Sequence, residues 1–202
     1  MKTPSILALA CILAAPVSVL AANDSVYTDL KLDTCKTIDE AEVSVTMKCG
    51  GLKDYPVYFT EGDLRQSVLY GPVSQSYIEG TFESFSPFNH IGEKVEWRVD
   101  DEGKPTAAIL RWFIENSNPD TGETDQKLQG QVLVVSHVAQ ADDDTSCVTG
   151  YVDALENKDA NTLARQLADT IAADFECGTD KAEFHGKRGE KTSEPTSSFP
   201  QN

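Results

Sequence analysis

Chemistry in this chain has to come from three histidines, five cysteines and an excess of acids, with 33 Asp and Glu against 17 Lys and Arg. His90 lies in an aromatic-rich stretch, His137 in an alternating apolar run, and His185 beside a polar tail. No Ser sits in a G-x-S-x-G elbow. No glycine-rich phosphate loop follows a strand. Triads are set by geometry rather than chain order, so a hydrolase pairing His90 or His137 with a nearby acid stands as the enzyme alternative, with no catalytic residue assigned. "ADDDTS" offers Asp142, Asp143 and Asp144, and "PDTGETD" offers Asp120, Glu123 and Asp125 as calcium ligands. Neither has the twelve-residue loop and terminal Glu of an EF-hand, and both read better as solvated acidic turns. No C-x-x-C or closely spaced His pair marks a zinc or redox site. No motif calls for a metal or a cofactor.

The N-terminus decides how the cysteines are read. Lys2 precedes an apolar run from Ile6 to Leu20, and small residues follow at Ala21 and Ala22. That order describes a secretory signal peptide over residues 1–21, cleaved near Ala21 or Ala22. Pro16 and the Ala-rich composition argue against a retained membrane anchor, and Cys11 has Ala8 where lipid attachment usually has a Leu three places upstream. Export leaves Cys35, Cys49, Cys147 and Cys177, an even number that reads as disulfides. Of the three possible pairings, loop closure favours the local one, Cys35 with Cys49 and Cys147 with Cys177.

Losing Lys2 takes the net charge from -16 to -17. Such a surface argues against nucleic acid, whose phosphates need Lys and Arg, and against anionic lipid. It suits a basic protein or an envelope component as partner, or solubility alone. No membrane span is expected in the mature chain.

The elements that would position these groups are mostly strands. "EVSVTMK" alternates, with Val43, Val45 and Met47 on one face. "YPVYFT" and "LRQSVLYG" flank a short turn holding Gly62 and read as a hairpin. "KVEWRVD" points Val95, Trp97 and Val99 inward and Glu96 and Arg98 outward. "TAAILRWFIEN" is apolar on both faces, which places it centrally. "KLQGQVLVVSHVA" and "CVTGYVDAL" follow through short turns, as in an antiparallel meander. One helix is expected at about 158–176. Leu163, Leu167, Ile171 and Phe175, with Ala160 and Ala164, make its apolar stripe. Asn157 or Asp159 can cap it, and Gly178 stands where it should stop.

The expected fold is therefore α+β: a mainly antiparallel sheet, a C-terminal amphipathic helix packed on it, and disulfide staples. Residues 22–185 form one domain, and the polar, Pro/Ser-rich 186–202 a disordered tail. Residues 71–93 show no period and carry Tyr77, Phe82, Phe85 and Phe88. Long loops in compact domains are usually functional or wrapped onto the core. The aromatics either plug the end of the sheet or, as the candidate binding surface, use Phe85, Phe88 and His90.

The order "VYTDLKLDTC", "YPVYFTEGDLRQSV", "EWRVDDEGKPTAAILRWF", "LVVSHV", Cys147 and an Ala-rich helix ending in Cys177 resembles a group of uncharacterised exported bacterial proteins. The resemblance covers nearly the whole mature chain. It implies a bacterial envelope location and supports the four-cysteine plan, and brings no activity or ligand. The expected function is that of a periplasmic or secreted binding protein without catalysis. An inhibitor of a basic enzyme such as lysozyme is one version, by analogy of architecture alone.

Overall fold

The structure, a computed structural model, describes residues 23–200; the expected signal segment 1–21 lies outside them. In chain order the elements are β1 (Asp24–Asp29), β2 (Lys36–Ala41), β3 (Ser44–Leu52), β4 (Tyr55–Gly62) and β5 (Arg65–Tyr70). A short helix α1 (Gln75–Gly80) precedes β6 (Phe82–Phe85), β7 (Asn89–Val99), β8 (Pro105–Ile114), β9 (Gly130–His137) and β10 (Val148–Asp153). Helix α2 (Ala160–Thr170), β11 (Glu183–Phe184) and β12 (Pro195–Ser198) complete the chain.

The strands form two large sheets and a small one. One sheet runs β1-β7-β8-β9-β10-β11, a second β2-β3-β4-β5, and β12 pairs with β6. All pairings are antiparallel except β10 with β11. The mainly antiparallel fold with a helix near its C-terminal end is thus present, and the meander is β7 to β10.

Alternation explains the layers. Val57 and Phe59 of β4 and Val68 and Tyr70 of β5 meet Val95, Trp97, Leu110, Trp112 and Val134 of the larger sheet in one core. Tyr70 and Trp97 cross edge to face at 5.6 Å between centroids, a favoured aromatic geometry. β8 is central, as its two apolar faces demand. Ala108, Leu110 and Trp112 face the second sheet, while Ala107 and Ile109 face α2. A bulge between Val148 and Gly150 lets Val148 and Tyr151 of β10 share a face although three residues apart, as an extra residue shifts the period.

Both local disulfides are present, Cys35–Cys49 and Cys147–Cys177. The second closes a sequence separation of 30, a constraint worth roughly 3–4 kcal/mol in chain entropy. Among the described residues, no helix is long and apolar enough to cross a membrane.

Helix α2 buries Ala160, Ala164, Leu167 and Ala168 against Leu133, Val135 and Val152. It is shorter than the expected 158–176. Past Ile171 the backbone leaves the helical path. The Ala172 carbonyl accepts from His137 Nδ1 at 2.7 Å, and the chain turns back so that Cys177 reaches Cys147. Gly178 has its positive φ of 80° after that turn, beyond the helix. Asp159 occupies the N-cap without a side-chain bond. Asn157 instead ties Asp153 O to Lys187 O, at 2.8 Å each. Leu167→Ala should lower the unfolding free energy by about 2–5 kcal/mol. Asn161→Ala, on the exposed face, should be within about 0.5 kcal/mol of wild type. Urea titrations giving equal losses would reverse the face assignment.

Three expectations change. Glu96 and Arg98 do point away from the inter-sheet core, but α2 covers them and both are buried. Arg165 meets Glu96, and Asp169 takes a two-pronged pair with Arg98 at 2.7 and 2.8 Å. Residues 71–93 are not one loop, because α1, β6 and the start of β7 lie within them. The tail is not disordered over the described residues up to 200. β12 pairs with β6 over four residues, and the Arg188 guanidinium sits 4.3 Å over the Phe184 ring. Asn116 donates to Lys191 O at 2.8 Å. These are backbone and polar contacts, which a composition poor in apolar residues does not reveal.

Candidate functional site

Phe85 is not a surface anchor. It is 1% exposed and meets Trp112 and Tyr151 edge to face at 5.7 and 5.6 Å. It plugs the core and leaves the candidate set. Phe88 is 41% exposed, in the turn between β6 and β7, with Arg65 5.1 Å above its ring. His90 lies two residues on. It stacks on Phe113 at 4.8 Å, with Nδ1 3.0 Å from a Glu115 oxygen.

Phe88 has company the sequence did not indicate. Val43 is expected on one strand face with Val45 and Met47, but it sits in the β2–β3 turn, 74% exposed. Leu64 is 60% exposed in the β4–β5 turn. The three turns are stitched side by side. Asp63 N donates to Val43 O at 3.2 Å, Asn89 N to Leu64 O at 3.2 Å, and Arg65 Nε to Ser86 O at 2.9 Å. Val43, Leu64 and Phe88 thus form an apolar row across neighbouring turns at one end of the molecule. Exposed Glu40, Glu42 and Asp63 flank it.

Leu64 carries backbone strain. Gly62 pairs with Arg65, so the turn is Asp63–Leu64 and Gly62 remains in the strand. Both turn residues have positive φ, 49° and 60°, the conformation two-residue hairpins favour and Asn-Gly adopts at least cost. A leucine there costs roughly 1–2 kcal/mol. Strain held by a solvent-facing apolar side chain points to a use for that side chain.

Protein-family models, curated proteins and solved structures were compared with the chain, and none matches.

The histidines are distributed rather than convergent. His137 is held on both sides, Nδ1 by Ala172 O and Nε2 by Asp143 at 2.9 Å. Neither nitrogen is left to take a proton from a substrate. His90 with Glu115 is a histidine–acid pair with Nε2 outside that contact. The groove of about 640 Å³ beside it is lined by Lys31, Asp33, Gln66 and Glu93 among others, with no Ser, Thr, Tyr or Cys to serve as nucleophile. His185 donates its backbone N–H to Tyr151 O at 2.8 Å. The acidic turns have local partners. Asp125 accepts from Lys127 N, and Asp143 accepts from Gln140 N and pairs with His137. Among the described residues no group of three or more His, Cys, Asp or Glu is arranged to hold a metal ion.

One polar constellation serves structure. Burial would raise the Glu96 carboxyl, but hydrogen bonds from Arg165 and Ser25, together with the Arg165 charge, outweigh it and hold the group below its ordinary range. It fastens α2 and β1 to β7.

Proposed function

We propose that the chain is an exported bacterial envelope protein, of the group its sequence resembles, that binds another protein through the Val43–Leu64–Phe88 row. Two disulfides and an acidic exterior agree with export to the periplasm or beyond. The observation that carries the binding reading is Leu64, an exposed leucine in a left-handed turn. Its side chain makes no core contact that would explain it, whereas an apolar anchor on a partner's pocket would. Phe88 adds aromatic area at little loss of rotamer freedom. The acidic flank selects a partner with basic residues around an apolar pocket, because complementary charge steers encounter. His90 and Glu115 extend the polar side of this face.

The test separates binding from folding. Leu64→Asn should raise the melting temperature by relieving the turn, and should at the same time abolish capture of the partner from envelope extracts. Phe88→Ala should weaken capture with little change in melting. Undiminished capture by Leu64→Asn would remove the row as the binding site.

A further inference from the structure

Glu83 is a buried carboxyl in a cavity wall, and the proposed partner surface does not use it. It is 4% exposed, on β6. One oxygen accepts from Val148 N at 2.8 Å. Among the described residues no Lys, Arg or His pairs with it. Burying an ionised carboxylate without a counter-charge is unfavourable. The carboxyl lines a cavity of about 320 Å³ whose walls include Tyr151, Phe175 and Phe199. Val148 and Gly178, each next to a cysteine of the second disulfide, frame one side, and Thr196 and Ser197 of β12 another. An open cavity, a carboxylate without counter-charge at its wall and aromatic rings around it make a receptor for an ammonium ion.

We propose that this cavity binds a primary ammonium group, with Glu83 as counter-ion and the three aromatic rings around its alkyl stem. The site shares no residue with the Val43–Leu64–Phe88 row and stands whether or not that row binds a partner. The bound nitrogen donates to the Glu83 oxygen that Val148 leaves over. Asp180 and Lys181 also line the cavity; both are solvent-exposed, carry opposite charges, and neither pairs with Glu83. Burial, opposed only by the Val148 hydrogen bond, pushes the Glu83 carboxyl up to about 8. Below that pH the ligand must displace a proton. Tyr77, raised to about 12 by burial and then by the Glu83 charge, and Tyr151, raised further by the same causes, stay neutral throughout. An alkylammonium keeps its charge to about pH 9–10, so the pH dependence of binding belongs to Glu83.

Calorimetric titration of the folded, oxidised protein with n-butylammonium, acetyl-lysine methylamide and butyrate tests this. Both ammonium probes should bind one to one and butyrate should not. Affinity should rise about tenfold per pH unit up to about 8 and then level off. Glu83→Gln keeps an oxygen for Val148 N, and should fold, lose ammonium binding at least tenfold and show no pH dependence. Tighter binding of the lysine derivative would assign the group to a protein or peptide, and of butylammonium to a free amine; either supports the site. A flat pH profile in the wild-type protein, undiminished binding by Glu83→Gln, or preference for butyrate would overturn it.

Discussion

Phe85→Ala should lower the unfolding free energy by about 3–5 kcal/mol, the usual loss for a phenylalanine removed from a core. The side chain is 1% exposed and wedged between Trp112 and Tyr151. Truncation leaves a cavity between rings that backbone pairing on both sides prevents from closing. Phe88→Ala, three residues away, should change stability by less than about 1 kcal/mol, because it forfeits only an exposed contact with Arg65. Denaturant melts of the two variants decide the matter without any knowledge of a partner. Equal losses would mean that Phe88 is part of the core and would end its candidacy as an anchor.

Asp169→Ala should be comparably damaging, at about 3–5 kcal/mol. Arg98 is 5% exposed on its side chain, against 23% for Asp169. Removing the acid strands a guanidinium that water cannot reach, although Ser25 and the Asn23 carbonyl still accept from it. Removing the base leaves an acid that water can reach, so Arg98→Met should cost less than half as much. The double change to Met and Leu should recover most of the loss, since apolar pairs of similar volume often replace buried ion pairs without penalty. If the two single variants were equally destabilised, exposure would not be what separates them.

The strands were legible because alternation is a local property. "KVEWRVD" shows that Trp97 and Arg98 lie on opposite faces; it does not show that both faces are covered. Arg98 reads as a solvent residue until α2 is laid over β7. Two residues along a strand, about 6.6 Å, nearly match four along a helix, about 6 Å. That match puts Glu96 and Arg98 opposite Arg165 and Asp169, and it is visible only once the helix's target is known. Division into two sheets was hidden for the same reason. The candidate site was legible in part. Aromatic content drew attention to residues 71–93, yet it could not separate buried Phe85 from exposed Phe88. Leu64 was missed because Gly62 looked like the turn residue, and the true turn uses Asp63 and Leu64 against their conformational preference. Glu83 was lost among 33 acids; only its enclosure distinguishes it. The tail misled because its order comes from backbone pairing with β6, to which composition is blind.

The late position of β12 also sets an order of assembly. Translation delivers a chain from its N-terminus, and the sheet of β2 to β5 and the Cys35–Cys49 bond draw only on residues 35–70. The six-stranded sheet waits for β11, because its members run from residue 24 to residue 184. The Glu83 cavity waits longer still. Residues 196, 197 and 199 supply a wall, so a chain cut between residues 185 and 195 keeps both disulfides and both large sheets while its carboxyl opens to water. The chamber thus depends on a segment that the rest of the scaffold does not need, and loss of residues 195–199 would open it while leaving both large sheets standing.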